Sequence, residues 1–216
     1  MTSWTGSDKK IEEIGVVGCG RMGKCMIQGL LDSGYSVTGY DKFPAAAESA
    51  AAMGASTAAT PAELAKRCTV ILMSLPGPIQ LTEVISGQDG LMDTLTSDHV
   101  VIDTSAVSPS TSRANAAVVA QVGAAYLDCP VLGRPSAAGK WLLPTGGPKE
   151  ALEKVMPVLK TFAANAVHVG DSGSGNALKL LNQMMFTCIN AISSEVMASC
   201  DHVGIDKAVF YDTVAS

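Results

Sequence analysis

A lysine lies inside a mostly apolar segment near the end of the 216-residue sequence. In GSGNALKLLNQMM, Lys179, Asn182, Gln183 and Phe186 are spaced i, i+3, i+4 and i+7, which predicts a shared helix face. A lysine in a partly desolvated cleft has a lowered pKa and can exchange a proton near neutral pH. Amides one turn further on could orient a hydroxyl or a carboxylate. The same spacing fits equally well a lysine at the helix edge whose head stays in water.

The glycine-rich segment IGVVGCGRMG at positions 14–23 is a second group of residues that could form a functional site. Gly18, Gly20 and Gly23 form a GxGxxG pattern that follows an apolar strand and opens a helix. In such a pattern the glycines permit a tight turn, the approach of a pyrophosphate and close packing of helix on strand. The helix N-terminus offers N–H groups to phosphates. The context therefore predicts a dinucleotide site.

An acid and a base follow the second predicted strand. Asp41 stands where a carboxylate hydrogen-bonds the adenosine ribose, and such a carboxylate repels a 2′-phosphate. NAD is therefore the expected cofactor, while the neighbouring Lys42 leaves NADP possible. An ordinary solvated turn acid is the alternative interpretation of Asp41.

The elements that must position these residues alternate along the chain. Apolar runs predict strands at 11–17, 35–40, 70–74, 100–103, 125–128, 142–145 and 166–169. Helical spacing predicts helices at 21–33, 45–53, 61–67, 109–122 and 149–162, with Thr60 capping the third. Alternating strands and helices predict a parallel sheet with right-handed crossovers.

Strand signals stop near Gly170, and the pattern beyond it is helical at 175–201 and 206–215. We therefore predict one domain over 1–170 and a second over 171–216. Two helices cannot easily close a core of their own. The sequence also stops in mid-pattern at FYDTVAS, so we expect a chain that is cut short or a segment that packs on a partner.

Composition gives no support for nucleic-acid binding, metal binding or a membrane span. A hydrophobic share of 47%, a charged share of 16% and a net charge of -5 are typical of a globular protein, and nothing in them favours nucleic acid. Six scattered cysteines form no CxxC pair and no metal-binding spacing, which favours reduced thiols, a cytoplasmic location and no metal. Polar residues inside the segment 175–200 argue against a membrane span, and the N-terminus lacks a signal-peptide core.

Taken together, ordered motifs over residues 11–216 resemble the β-hydroxyacid dehydrogenase family. The family includes 3-hydroxyisobutyrate dehydrogenase, tartronate semialdehyde reductase and the decarboxylating 6-phosphogluconate dehydrogenase. The segment GCGRMG at 18–23 is similar to the family's GxGxMG motif. The segment DTS at 103–105, followed by SP at 108–109, is similar to the family's DxST…SP motif. DCPV at 128–131 resembles the start of DAPVSGG, and GSGNALK at 173–179 resembles GxGxxxK.

The resemblance implies a Rossmann-type doubly wound, mostly parallel α/β sheet, followed by the start of an all-helical C-terminal domain. It implies that Lys179 is the catalytic acid/base and that Leu75 and Pro76 lie beside the nicotinamide. The expected cofactor-binding residues are Gly18, Gly20, Arg21, Met22, Gly23, Asp41, Lys42, Leu75, Pro76, Ser105 and Ala106. The expected substrate-binding residues are Ser105, Gly133, Arg134, Asn182 and Gln183.

The sequence departs from the family at several positions. LGR at 132–134 replaces SGG, and Arg134 could clamp a carboxylate, sulfonate or phosphate, or could point outward into solvent. Ala106 replaces a frequent hydroxyl, and Gln183 stands where Asn is frequent. GRPSAAGK at 133–140 resembles imine reductases of the same fold, which usually lack the lysine.

We therefore predict an oxidoreductase that transfers a hydride between NAD(P) and a short carboxylate-bearing 3-hydroxy acid or its semialdehyde. The alternatives are a non-catalytic dinucleotide-binding module and an imine reductase-like enzyme. We expect a small anionic substrate, no nucleic acid or membrane partner, and a homo-oligomer, either dimer or tetramer, formed through the helical domain.

Overall fold

A computed structural model of the protein describes residues 11–214, so the first ten and last two residues of the predicted domains lie outside the description. Its centre is an eight-stranded sheet with the order β3-β2-β1-β4-β5-β6-β7-β8. The strands are β1 Glu13–Val17, β2 Ser36–Tyr40, β3 Ser56–Thr57, β4 Val70–Met73, β5 Val100–Asp103, β6 Ala125–Asp128, β7 Trp141–Gly146 and β8 Ala163–Gly170. Neighbouring strands are parallel except for β6 and β7, which confirms the mostly parallel α/β sheet.

Helices follow most of the strands. They are α1 Arg21–Asp32, α2 Pro44–Ala52, α3 Pro61–Arg67, α4 Pro78–Ser86, α5 Pro109–Val119, α6 Lys149–Leu159, α7 Ser174–Val203 and α8 Lys207–Val214. Four of them begin with proline, whose fixed φ suits the first helical position. The Thr60 hydroxyl accepts the N–H of Glu63 at 3.0 Å, which confirms the predicted cap. Strand β3 and helix α4 are additions to the predicted elements.

Two apolar layers bury the two faces of the sheet. On β4, Val70 and Leu72 face one layer, which includes Met26 and Ile27 of α1 and Val155 of α6. Ile71 and Met73 of the same strand face the other layer, which includes Leu64 of α3 and Leu81 of α4. Helices on both faces explain why VILM is a continuous apolar run, and they make the sheet doubly wound.

The chain forms two compact units, the first extending to Lys179 and the second beginning at Leu180. The first contains the whole sheet, helices α1 to α6 and the first turns of α7. In the second unit, an ion pair of 2.7 Å joins Lys207 of α8 to Asp201 of α7. The domain boundary after residue 170 stays a prediction. No helix within residues 11–214 is long and apolar enough to cross a membrane.

Candidate active site

The loop after β1 requires glycine at two of its positions. Gly18 has a φ of 93°, and a Cβ there would collide with the carbonyl oxygen of Ser74. A Cβ on Gly23 would collide with the carbonyl oxygen of Gly18. The Gly18 N–H donates to the Tyr40 carbonyl at 2.8 Å, which ties the loop to the end of β2. The turn and the close helix packing expected of the GxGxxG pattern are therefore both present.

Gly20 differs from its two neighbours because the space beside it is open. A Cβ built there meets no heavy atom within 4 Å, and the residue is exposed. Gly20 precedes α1 without any side-chain cap, and the first turn of α1 carries no acid. The first N–H groups of α1 therefore remain available to an anion, as a pyrophosphate site requires.

Asp41 lies between the glycine loop and the start of α2. Its Oδ2 accepts the N–H of Cys19 at 2.8 Å, and its Oδ1 accepts the N–H of Phe43 at 2.9 Å. Burial, and secondarily the Asp41 charge, raise the pKa of the Cys19 thiol to about 11, so this thiol stays protonated at neutral pH. The carboxylate is thus held beside the glycine loop, where the ribose of a dinucleotide is expected.

A cavity of about 560 Å³ opens along this edge of the sheet. It is lined by Val17, Gly18, Gly20, Tyr40, Asp41, Lys42, Phe43, Ala46, Pro61, Ser74, Leu75, Pro76, Gln80, Glu83, Val84 and Gln88. The structure therefore brings together six of the predicted cofactor residues: Gly18, Gly20, Asp41, Lys42, Leu75 and Pro76. The other five, Arg21, Met22, Gly23, Ser105 and Ala106, lie outside this lining. A volume of this size is within the range of roughly 300–1,000 Å³ that is typical of small-molecule sites.

Helix α4 brings residues to the cavity that the sequence analysis missed. Gln80, Glu83 and Val84 line it, and the Glu83 carboxylate binds the Lys42 ammonium at 2.6 Å. The available signal was a proline directly after Gly77, followed by apolar residues with helical spacing.

Ser105 lies in a buried network at the end of β5. Its N–H donates to Oδ1 of Asp103 at 2.9 Å, and its hydroxyl oxygen accepts the N–H of Leu75 at 3.0 Å. The Tyr126 hydroxyl donates to Oδ2 of Asp103 at 2.7 Å. Burial raises the pKa of Asp103 to about 6, against the opposing effect of these hydrogen bonds. Ser105 therefore fixes the Leu75 loop at the cavity, and the neighbouring Ala106 is exposed.

Lys179 lies one turn into α7, with its side chain partly buried. Its ammonium donates to the carbonyl oxygen of Val131 at 2.9 Å, in the loop after β6. Burial lowers the pKa of this lysine below that of a fully solvated ammonium. The lysine therefore contacts the loop that the resemblance assigns to the substrate.

Two buried side chains fix the first turn of α7. Asp128, at the end of β6, accepts the N–H of Gly173 at 2.7 Å and the N–H of Asn176 at 2.8 Å. The Asn176 side-chain oxygen accepts the Val107 N–H at 3.1 Å, and its NH₂ donates to the Ser112 hydroxyl at 3.0 Å. Both residues are fully buried. They anchor the turn that carries Lys179, a role that the sequence analysis did not assign to them.

Gly133 and Arg134 lie in the same loop as Val131. A Cβ on Gly133 would collide with the Trp141 ring, and the Trp141 indole donates to the Arg134 carbonyl at 2.8 Å. The Arg134 guanidinium is exposed, and no residue among 11–214 binds it. Trp141 therefore fixes the backbone of the loop at Gly133 and Arg134, while the Arg134 side chain remains available to a ligand.

Asn182 and Gln183 belong to the second unit. They follow Lys179 on the same helix, and the backbone carbonyl of Gln183 accepts the Thr187 hydroxyl at 2.9 Å. Their contact with a substrate stays a prediction. In the described part of the chain, no group of three or more His, Cys, Asp or Glu residues could hold a metal ion.

Comparisons with known proteins agree with this fold. The sequence profile of the NAD-binding domain of 6-phosphogluconate dehydrogenase matches residues 13–170. The 2-(hydroxymethyl)glutarate dehydrogenase of Eubacterium barkeri is 32% identical over 191 residues, which are 88% of this chain and 64% of that enzyme. The chain therefore spans less than two thirds of this relative's length.

Solved structures resemble the fold closely. The Mycobacterium tuberculosis 3-hydroxyisobutyrate dehydrogenase with L-serine has a TM-score of 0.90 and 26% identity, covering 95% of this chain and 70% of that chain. A Streptomyces aurantiacus imine reductase has a TM-score of 0.84 and 25% identity, covering 94% of this chain and 72% of that chain.

A glycine-rich loop, an acid after β2 and a mostly parallel doubly wound sheet define an NAD-binding domain of the Rossmann type. The chain belongs to the β-hydroxyacid dehydrogenase family, with the NAD-binding domain of the 6-phosphogluconate dehydrogenase type. The expected cofactor class, NAD or NADP, is thereby confirmed.

Proposed function

We propose that this protein is an NAD-dependent oxidoreductase of short, carboxylate-bearing 3-hydroxy acids or their semialdehydes, with Lys179 as general acid/base. The observation that carries the proposal is a shared location. Gly18, Asp41, Leu75 and Val131 all follow the carboxyl ends of strands in one sheet, and Lys179 binds Val131. Ligands of open α/β sheets bind at this edge.

Within this proposal Lys179 handles the proton. Burial lowers its pKa, which makes the neutral amine that accepts the proton of a substrate hydroxyl more accessible than in a solvated lysine. In the reverse direction the ammonium protonates the oxygen of a carbonyl that is being reduced. When bound, the nicotinamide cofactor supplies the hydride transfer. The Val131 carbonyl orients the lysine head group.

The remaining site residues bind and orient the substrate. The exposed Arg134 guanidinium offers a bidentate donor set to a carboxylate. Ser105 and the Gly133 backbone are proposed to contact the same group, and Asn182 and Gln183 to orient the hydroxyl. Two related proteins support this substrate class, because 2-(hydroxymethyl)glutarate and 3-hydroxyisobutyrate both carry a hydroxymethyl group beside a carboxylate.

An imine reductase-like activity is the second candidate. The Streptomyces aurantiacus neighbour and the segment GRPSAAGK favour it. Lys179 argues against it, because imine reductases of this fold usually lack the lysine. A non-catalytic dinucleotide-binding module is the third candidate.

The test is a panel of short hydroxy acids and amines, each offered with NAD and with NADP, and read by absorbance of the reduced cofactor. We expect NADH to form with 3-hydroxy carboxylates. Oxidation of amines without hydroxy acids would instead favour the imine reductase. Cofactor binding without any turnover would favour the non-catalytic module.

Location and assembly complete the proposal. The scattered cysteines favour the cytoplasm, and cell fractionation would test that. A homo-oligomer is supported by large apolar side chains that are exposed in the second unit, including Leu181, Met184, Phe186 and Ile192. Light scattering coupled to size-exclusion chromatography would distinguish a monomer from a dimer or tetramer.

A further inference from the structure

Three charged side chains line the end of the cavity that follows β2. They are Asp41, Lys42 and Glu83, and Lys42 is the one base among the described residues of this lining. The Lys42 ammonium binds the Glu83 carboxylate at 2.6 Å, although the two residues are 41 positions apart and lie on different elements. This base is therefore already paired with an acid from α4.

We infer that Glu83 is a cofactor-specificity residue, which holds Lys42 away from a 2′-phosphate and so favours NAD over NADP. The inference rests on the proposed function, in which NAD binds along this cavity with Asp41 at the adenosine ribose. Lys42 directly follows Asp41 and lines the same cavity, so its ammonium could serve as a counter-charge for a phosphate on the 2′-oxygen. While Glu83 binds it, that positive charge is neutralised.

Both side chains of the pair are exposed, but packing fixes the helix from which Glu83 reaches Lys42. Leu81, Val84 and Ile85 are buried, so α4 fixes the backbone of Glu83 against the sheet. Asp41 is committed to the N–H groups of Cys19 and Phe43. The Glu83 hydrogen bond also raises the pKa of Lys42, which keeps the ammonium charged.

The charges predict the direction of the effect. With Glu83 present the three side chains sum to one negative charge, and Glu83→Gln leaves them neutral with a released ammonium. Exposed pairs have modest energies, so we expect the ratio of NADP affinity to NAD affinity to rise about threefold. The gain should shrink as salt rises from about 50 mM to about 500 mM, because salt screens exposed charges.

The experiment is calorimetric titration of the full chain with NAD and with NADP, for the wild type and four variants. Glu83→Gln tests the inference, and Glu153→Gln is the matched control because it removes the acid of an exposed lysine pair on α6, at 3.6 Å from Lys149. Lys42→Met and the double variant Lys42→Met/Glu83→Gln show whether the lysine is required. We expect the NADP gain in Glu83→Gln alone.

Each contrary outcome identifies what fails. No binding of NAD by the wild type would overturn the proposed function and this inference with it. Normal NAD binding with no NADP gain beyond that of Glu153→Gln would overturn the inference alone. A gain that survives in the double variant would show that Glu83 repels the phosphate directly, and would overturn the role assigned to Lys42.

Discussion

The glycine loop at 18–23 follows β1, and the lysine turn at 173–179 follows β8 and opens α7, yet different forces hold the two regions. The glycine loop depends on missing side chains, since a Cβ on Gly18 or Gly23 would collide with backbone. The lysine turn depends on two buried side chains, Asp128 and Asn176, which bind backbone and side-chain groups far away in sequence. Backbone shape therefore defines the cavity beside the glycine loop, whereas a polar network positions the proposed proton carrier.

The largest predicted effect separates the two regions directly. Lys179→Ala should lower turnover by roughly 10²–10⁴-fold, the range typical of general acid–base groups. Its affinity for NAD should match the wild type, because the lysine is not part of the cavity lining. Steady-state kinetics with the best substrate of the panel and calorimetry with NAD measure both quantities. Near-normal turnover would refute the proton-transfer role.

The second prediction concerns the buried Asp103, whose network fixes the cavity loop at Leu75. Its pKa is about 6 in the folded protein against an ordinary 3.8, so the folded state binds the proton more tightly than the unfolded state. Its contribution to the free energy of unfolding is therefore greatest below pH 3.8 and falls as pH rises to about 6, by on the order of 3 kcal/mol.

Asp103→Asn removes this titration and can keep both hydrogen-bond partners. Urea unfolding at a series of pH values should show the wild type losing stability relative to Asp103→Asn between about pH 4 and about pH 6. A stability difference that stays constant over this range would contradict a buried, titrating carboxyl at this position.

The third prediction tests whether side chains fix the lysine turn. Asp128→Asn places an NH₂ group against a backbone N–H donor, which should lower the free energy of unfolding by about 2 kcal/mol, as for hydrogen bonds to charged groups. Displacement of the turn should also lower turnover by about tenfold. It should shift the pH dependence of turnover, because Lys179 is the proposed proton carrier. NAD affinity should stay within a factor of about two, since Asp128 is outside the cavity lining.

A matched substitution on the other side of the network is Ser112→Ala, which removes one hydrogen bond from Asn176 but leaves Asp128 in place. It should change the pH profile less than Asp128→Asn does. Equal effects of the two variants would show that general stability, and not the position of Lys179, controls the rate.

Sequence reasoning recovered the parts of the fold that short-range patterns define. Strands β5 and β6 have the predicted bounds, and the β1–α1–β2 unit follows from the glycine spacing and its flanking apolar runs. The two-residue strand β3 is too short for periodicity to reveal. Strand β8 begins three residues before its predicted start, because exposed Ala164 and Asn165 interrupt the apolar pattern there.

The candidate site was predictable to the same degree. The positions of Gly18, Gly20 and Asp41 around one cavity follow from a local motif. Other contacts join residues that are distant in sequence. Lys42 pairs with Glu83, 41 positions away, and Asp128 anchors Asn176, 48 positions away. Only the folded sheet brings such residues together, so no spacing in the sequence could reveal them.

Gly20 provides the most direct test of the central claim that this cavity binds a dinucleotide. Its φ of -71° and the open space beside it allow a larger side chain without a clash inside the protein. Gly20→Leu should therefore unfold at the wild-type temperature but fill the space that a pyrophosphate needs, lowering NAD affinity roughly tenfold or more. Calorimetric titration with NAD measures this, and unchanged affinity in a fully folded Gly20→Leu variant would contradict the account.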